Sequence, residues 1–139
     1  MQLSDFRLLG EVGSGSFGVT QKAQYIPDGS IVALKAINVA ASEAKRISRQ
    51  QILEEVESLQ ELSSGSCSKY MACYLGAFAS PDQSVYYIVS EFVEGTSLTN
   101  VIERFGSGAL DPNKMWSIYA QLILGLEYIH EHGYAHRDI

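Results

Sequence analysis

Gly13-Ser14-Gly15-Ser16-Phe17-Gly18-Val19-Thr20-Gln21-Lys22-Ala23-Gln24-Tyr25 begins with glycines at a G-x-G-x-x-G spacing and then changes character. After Gly18, the residues Val19, Ala23 and Tyr25 fall on one face at a two-residue period. The β-branched Val19 and Thr20 also disfavour the start of a helix. The stretch therefore reads as the tip of a β-hairpin, with one strand over residues 6–12 and a second over 19–25.

Working outward, Pro27-Asp28-Gly29 is a turn: Pro fixes φ, Asp can bond its own backbone, and Gly tolerates positive φ. Residues 31–37 (IVALKAI) form a mostly apolar strand with a lysine inside it. A helix over residues 42–62 is expected next, capped by Ser42, with Ile47, Ile52, Val56, Leu59 and Leu62 as its apolar stripe. Strands over 70–78 and 84–92 follow, joined by a hairpin at Pro81-Asp82-Gln83. A short helix is read over 97–105. Asp111 as N-cap and Pro112 at the first helical position open a long helix, which reaches His132 and stops at Gly133. This order lacks the strict βαβ alternation of a parallel sheet. It suits an α+β fold, a five-stranded antiparallel sheet with one packed helix followed by a helical region.

The composition, 46% hydrophobic and 19% charged, is that of a globular chain with ample material for a core. A net charge of −6, with no run of Lys or Arg, argues against a nucleic-acid partner. Lys45, Arg46 and Arg49 read as a solvated helix face. Apolar stretches are short, so no membrane association is expected. Met1-Gln2-Leu3-Ser4-Asp5 has no signal-peptide character, and a cytoplasmic location is the default. Cys67 and Cys73 match no common metal signature and are expected to be plain thiols.

Glycines let a backbone approach phosphate oxygens closely, with amides aimed at them. The same spacing serves dinucleotide-binding oxidoreductases, but there a helix opens at the last glycine. Lys35 lies in the apolar strand Val32-Ala33-Leu34-Lys35, where an unpaired ammonium is costly, so it needs a partner. The next helix offers Glu54 and Glu55. Leu59 and Leu62 put Glu55 near the face toward the sheet, with Glu54 turned about 100° away. Glu55 is the better candidate, and Glu54 remains open.

The glycine loop, the VALK strand, a glutamate in the following helix and His136-Arg137-Asp138-Ile139 together resemble a eukaryotic-type protein kinase domain. The resemblance covers essentially the whole chain. It implies a small lobe over residues 1–90, a hinge over 91–95 and the start of a large lobe, with its first two helices, over 96–139. Residues 87–98 (YIVSEFVEGTSL) and 125–133 (GLEYIHEHG) are most similar to serine/threonine kinases of the NIMA-related or sterile-20-like sort.

The resemblance implies that Gly13, Ser14, Gly15, Ser16, Phe17 and Gly18 cover the phosphates of ATP. Lys35 would bond those phosphates while Glu55 holds it. Val12, Thr20 and Ala33 would flank the adenine. Thr20 departs from the usual Val and adds a hydroxyl under that roof. Glu91 and Val93 would meet the adenine edge, with Ser90 as a small residue behind it and Ser97 near the ribose. Asp138 would accept or orient the substrate hydroxyl proton. His136, Tyr74 and Leu59 would join an apolar stack, with His136 as a core histidine.

The implied activity is transfer of the γ-phosphoryl of ATP to a protein substrate's Ser/Thr hydroxyls, with Mg²⁺ as cofactor. The Mg²⁺ ligands would lie past Ile139, with no metal ligand within these residues. The long helix is apolar nearly all round, which is expected of a helix buried on every side. A shortened chain, inactive by itself, is therefore expected. The alternative is an inactive fragment serving as a nucleotide- or protein-binding module, with a partner on the apolar helix 112–132.

Overall fold

Strand alternation in the first third of the chain builds β1 (Phe6–Gly15), β2 (Gly18–Tyr25) and β3 (Ile31–Asn38). The structure is a computed structural model and describes residues 1–15, 18–44, 46–65, 67–106, 108 and 110–136. The strands β4 (Tyr74–Ala79) and β5 (Val85–Glu91) complete a five-stranded sheet in the order β1-β2-β3-β5-β4. Every neighbouring pair is antiparallel. Gly15 stands opposite Gly18, and Gly18 opens a strand. The last glycine of a dinucleotide-binding loop opens a helix instead, so this loop is of a different kind.

The sheet buries apolar side chains on both faces. On one, Phe6, Ala23, Val32, Leu34 and Val89 form a cluster edged by Tyr25, Phe78 and Tyr87. Phe78 stacks between Phe6 and Tyr87, with ring centroids 5.5 and 4.8 Å away. On the other, Ile37, Val39, Ile52 and Ile88 pack with Val56, Leu59, Tyr74 and Tyr86. Burying a side chain such as Leu34 or Ile37 contributes about 1.5–3 kcal/mol.

The helix expected over residues 42–62 is divided into α1 (Val39–Ala44) and α2 (Arg49–Leu62). Each half has its own cap. Asn38 accepts the Ala41 N–H at 2.9 Å. Ser48 accepts the Gln51 N–H at 3.2 Å, and the Gln51 side chain accepts the Ser48 N–H at 2.8 Å, forming a capping box. Between them Arg46 adopts a positive φ of 64°, which turns the chain. Ser42 is therefore not a cap: it is buried, and its hydroxyl donates to the Asn38 carbonyl at 2.8 Å.

Both ends of α2 are fastened to the sheet. Arg49 donates to the side-chain and main-chain oxygens of Gln83, each at 3.1 Å. At the other end, the Ser63 hydroxyl accepts the Tyr74 N–H at 3.0 Å. Strand β4 starts at Tyr74 rather than at residue 70, because residues 68–71 form a turn closed by the Met71 N–H on the Ser68 carbonyl at 3.0 Å. Cys67 and Cys73 are not plain thiols: they are joined in a disulfide. The turn brings their α-carbons to 5.9 Å, inside the usual disulfide range. Spacing alone carries no such information, since it depends on how the intervening turn folds.

The chain divides into two compact units, Met1–Cys67 with Ala72–Phe92, and Ser68–Met71 with Val93–Ile139. The second holds α3 (Leu98–Phe105) and α4 (Pro112–Glu131). Asp111 caps α4 by accepting the Asn113 and Lys114 N–H groups at 2.9 and 3.1 Å, with Pro112 at the first turn. The helix ends where Gly133 takes φ 82°. Gly125 of α4 is buried, and a methyl there would lie 3.1 Å from the Tyr70 carbonyl oxygen, so glycine permits that approach. Met115, Trp116, Tyr119 and Ile123 are exposed. Among the described residues no helix is long and apolar enough to cross a membrane.

Candidate functional site

Strand register decides which side chains share a face, because residues directly opposite in an antiparallel pair project to the same side. Thr20 stands opposite Lys35, and Lys35 opposite Ile88. Ala33 stands opposite Ser90. Along β3, Ala33, Lys35 and Ile37 alternate onto one side. Thr20, Ala33, Lys35 and Ser90 thus share the face against which α2 packs through Ile37, Ile88 and Ile52.

On that face the Lys35 ammonium donates to the Glu55 carboxylate at 2.7 Å. Glu54 is exposed and accepts from Gln50 instead, one turn back along the helix. The pairing follows the helix stripe: the residue nearest the apolar face meets the sheet. The Lys35 and Glu55 side chains remain 31% and 39% exposed, so water screens the pair and an anion can still approach the ammonium.

The glycines of the hairpin differ in what they require. Gly18 has φ 149°, and a methyl there would overlap the Ala36 carbonyl oxygen of β3. Its lack of a side chain serves the sheet. Gly13, opposite Thr20, has nothing within 4 Å of where a methyl would go. Its lack of a side chain leaves open space above the strand. Ser14 is exposed opposite Val19, and Gly15 closes the ladder against Gly18. Val12 is exposed in an irregularity between Glu11 and Gly13. Ser16 and Phe17 lie outside the described residues, as do Lys45 and Asp138.

Glu91 ends β5, and its N–H donates to the Cys73 carbonyl at 2.9 Å. Val93 and Ser97 belong to the second unit. Val93 is exposed, and the Ser97 hydroxyl caps α3 by accepting the Asn100 N–H at 3.2 Å. Leu59 and Tyr74 share one apolar cluster, whereas His136, in the second unit, is exposed rather than a core histidine. It lies past the Gly133 stop of α4, and the described residues 134–136 form no regular element.

Burial pushes the Tyr74 hydroxyl's pKa up. In the β4–β5 turn, hydrogen bonds from Ser80 and Ser84 hold the Asp82 carboxyl at about 2. Among the described residues there is no group of three or more His, Cys, Asp or Glu side chains placed to hold a metal ion. For an anionic nucleotide the fit is better: a lysine held in place by a carboxylate, beneath a hairpin with open space at Gly13. Sequence reasoning missed the disulfide and the Arg49–Gln83 clamp. The S-x-x-Q of residues 48–51 could have revealed the helix break.

Several known proteins are similar along nearly the full chain. Mitogen-activated protein kinase kinase 3 of Arabidopsis thaliana is 34% identical over 97% of this chain and 24% of its own length. The interferon-induced, double-stranded RNA-activated protein kinase of Rattus norvegicus is 30% identical over 97% of this chain and 27% of its own. The probable serine/threonine-protein kinase zyg-1 of Caenorhabditis briggsae is 31% identical over 99% of this chain and 17% of its own. The chain thus spans about a quarter or less of the length of these relatives. The family model described as "Protein kinase domain" matches residues 6–139, from the first residue of β1 onward. That span takes in the hairpin, the lysine strand and the glutamate helix in order, and the chain belongs to the protein kinase domain family.

Proposed function

We propose that this chain binds ATP and contributes to transfer of its γ-phosphoryl to Ser or Thr hydroxyls of a protein substrate. The observation that carries this is the 2.7 Å contact between Lys35 and Glu55 on the face that also presents Thr20, Ala33 and Ser90. Lys35 would meet the α- and β-phosphates, and Glu55 would keep its ammonium in place. Such positioning and charge compensation is most of what phosphoryl transfer asks of a protein. Gly13, Ser14, Gly15, Ser16, Phe17 and Gly18 would cover the phosphates. Ala33, Val12 and Thr20 would flank the adenine, with Ser90 behind it. The backbone at Glu91 and Val93 would meet its edge, Ser97 would lie toward the ribose, and Asp138 would accept the substrate hydroxyl's proton or orient that hydroxyl. Kinases use ATP with Mg²⁺ in general, which would neutralise charge on the phosphates. The serine/threonine preference rests on the kind of relatives matched, and the NIMA-related or sterile-20-like placement on residues 87–98 and 125–133. A cytoplasmic location goes with this reading.

Calorimetric titration with ATP, with and without Mg²⁺, tests it on wild type and Lys35→Met. Binding that Lys35→Met removes supports the assignment. Equal binding by both chains, or none by the folded wild type, overturns it. A second reading, a module that binds nucleotide or protein without transferring phosphate, is favoured by the apolar side chains α4 leaves exposed. Transfer of labelled γ-phosphate to a generic protein acceptor would rule out this second reading.

A further inference from the structure

We propose that the Cys67–Cys73 bond is a thiol–disulfide switch that sets how firmly the C-terminal end of α2 is held to β4. Its position is the reason. The bond closes the connection between α2 and β4, whose ends are already joined by the Tyr74 N–H on the Ser63 hydroxyl at 3.0 Å. Cys73 also accepts the Glu91 N–H on its carbonyl at 2.9 Å, so its backbone is tied to the last residue of β5. The next residue, Tyr74, packs in the same cluster as Val56 and Leu59 of α2, and Val56 follows Glu55 directly. One covalent bond thus bears on the seat of the helix that carries the Lys35 partner.

The bond is also reachable. Both cysteines are half-buried in a connecting segment, not sealed in either apolar cluster, and accessible disulfides are the labile ones. A small thiolate such as that of glutathione attacks one sulfur and forms a mixed disulfide. The other cysteine leaves as a thiolate and takes up a proton. A second small thiol then displaces the first cysteine. The protein disulfide and two small thiols become the protein dithiol and one small disulfide, and the reverse reaction re-forms the bond.

With the bond open, the last turn of α2 is held by the Ser63–Tyr74 hydrogen bond and its apolar contacts. The consequence for nucleotide affinity rests on the proposed ATP site, so the experiment reads both. The chain is equilibrated across a series of glutathione ratios, and its thiols are counted by mass after alkylation. The bond is expected to open and close across the series. A bond that stays closed under strongly reducing ratios, or never forms, overturns the switch. Amide exchange over residues 59–63 is expected to rise about tenfold on reduction. Equal exchange in the two forms overturns the switch, whatever the nucleotide does.

Reduction is expected to weaken ATP binding by about fivefold, at the lower end of typical couplings between sites. Equal affinity alongside unequal exchange overturns the link to Lys35. No ATP binding by either form overturns the nucleotide reading and leaves exchange to judge the switch. Cys67→Ser/Cys73→Ser is expected to match the reduced wild type in every buffer. A response of that variant to the glutathione ratio counts against the switch.

Discussion

Gly13→Ala and Gly18→Ala are equivalent changes to one motif, and the structure predicts opposite effects. At Gly18 the backbone has φ 149°, a region nearly closed to other residues, and holding alanine there costs about 1–3 kcal/mol. The added methyl also overlaps the Ala36 carbonyl oxygen, which is backbone and cannot rotate away. Parting β2 from β3 to admit it costs about as much again, so the total is about 2–6 kcal/mol. At roughly 4 °C per kcal/mol, the melting temperature falls by roughly 8–24 °C. Gly13 lies outside the positive-φ region and has open space around its would-be methyl, so alanine changes stability by less than about 1 kcal/mol. If the phosphates of ATP use that space, the methyl instead weakens binding by about tenfold, or about 1.4 kcal/mol. Circular-dichroism melts and ATP calorimetry on both variants decide this. A Gly18→Ala chain that melts with wild type, or a Gly13→Ala chain that melts as early as Gly18→Ala, refutes the reasoning.

Glu55→Gln keeps the shape but removes the charge that faces Lys35. Because each side chain is about a third exposed, solvent screening leaves about 1 kcal/mol at stake, or roughly a fivefold loss of ATP affinity. Unchanged affinity by calorimetry speaks against the pair's role. Leu34→Ala empties a fully buried position and is expected to cost about 2–5 kcal/mol in urea unfolding, with no cost meaning the cluster is not packed as described. The folded Asp82 carboxyl sits at about 2, below its ordinary 3.8, so its contribution is present above pH 3.8 and is lost as pH falls toward 2. Asp82→Asn should flatten the pH dependence of unfolding in that window, and superimposable profiles would count against the Ser80 and Ser84 hydrogen bonds.

The succession of strands along the chain and the Lys35–Glu55 contact were legible because each follows from a period. Alternation marks a strand's faces, and the 3.6-residue turn sets Glu55 apart from Glu54. The Asp111-Pro112 start and the Gly133 stop of α4 were legible because caps have local chemistry. A single helix over 42–62 is the wrong reading because an apolar stripe continues in phase across a break. Only the caps at Asn38 and Ser48, with the positive φ of Arg46, reveal two rods. The disulfide and the start of β4 were hidden for a related reason. Both depend on how the turn at residues 68–71 folds, and no periodicity governs it. The exposure of His136 has no local signal either: it reflects what packs there, not what precedes it in sequence.

The division of that helix changes how motion reaches the lysine. Freed from α1, α2 is a short beam roughly 21 Å long, pinned by Arg49 at one bearing and by Ser63 at the other. Glu55 sits near mid-span. If one bearing yields by roughly 2 Å while the other holds, lever geometry along a straight helix carries about 1 Å of that to the carboxylate. The 2.7 Å contact then opens to about 3.7 Å, past the reach of a hydrogen bond. A touch at the β4–β5 turn, or at the connection after α2, can therefore act on the lysine's partner from a distance, with no ligand near either residue.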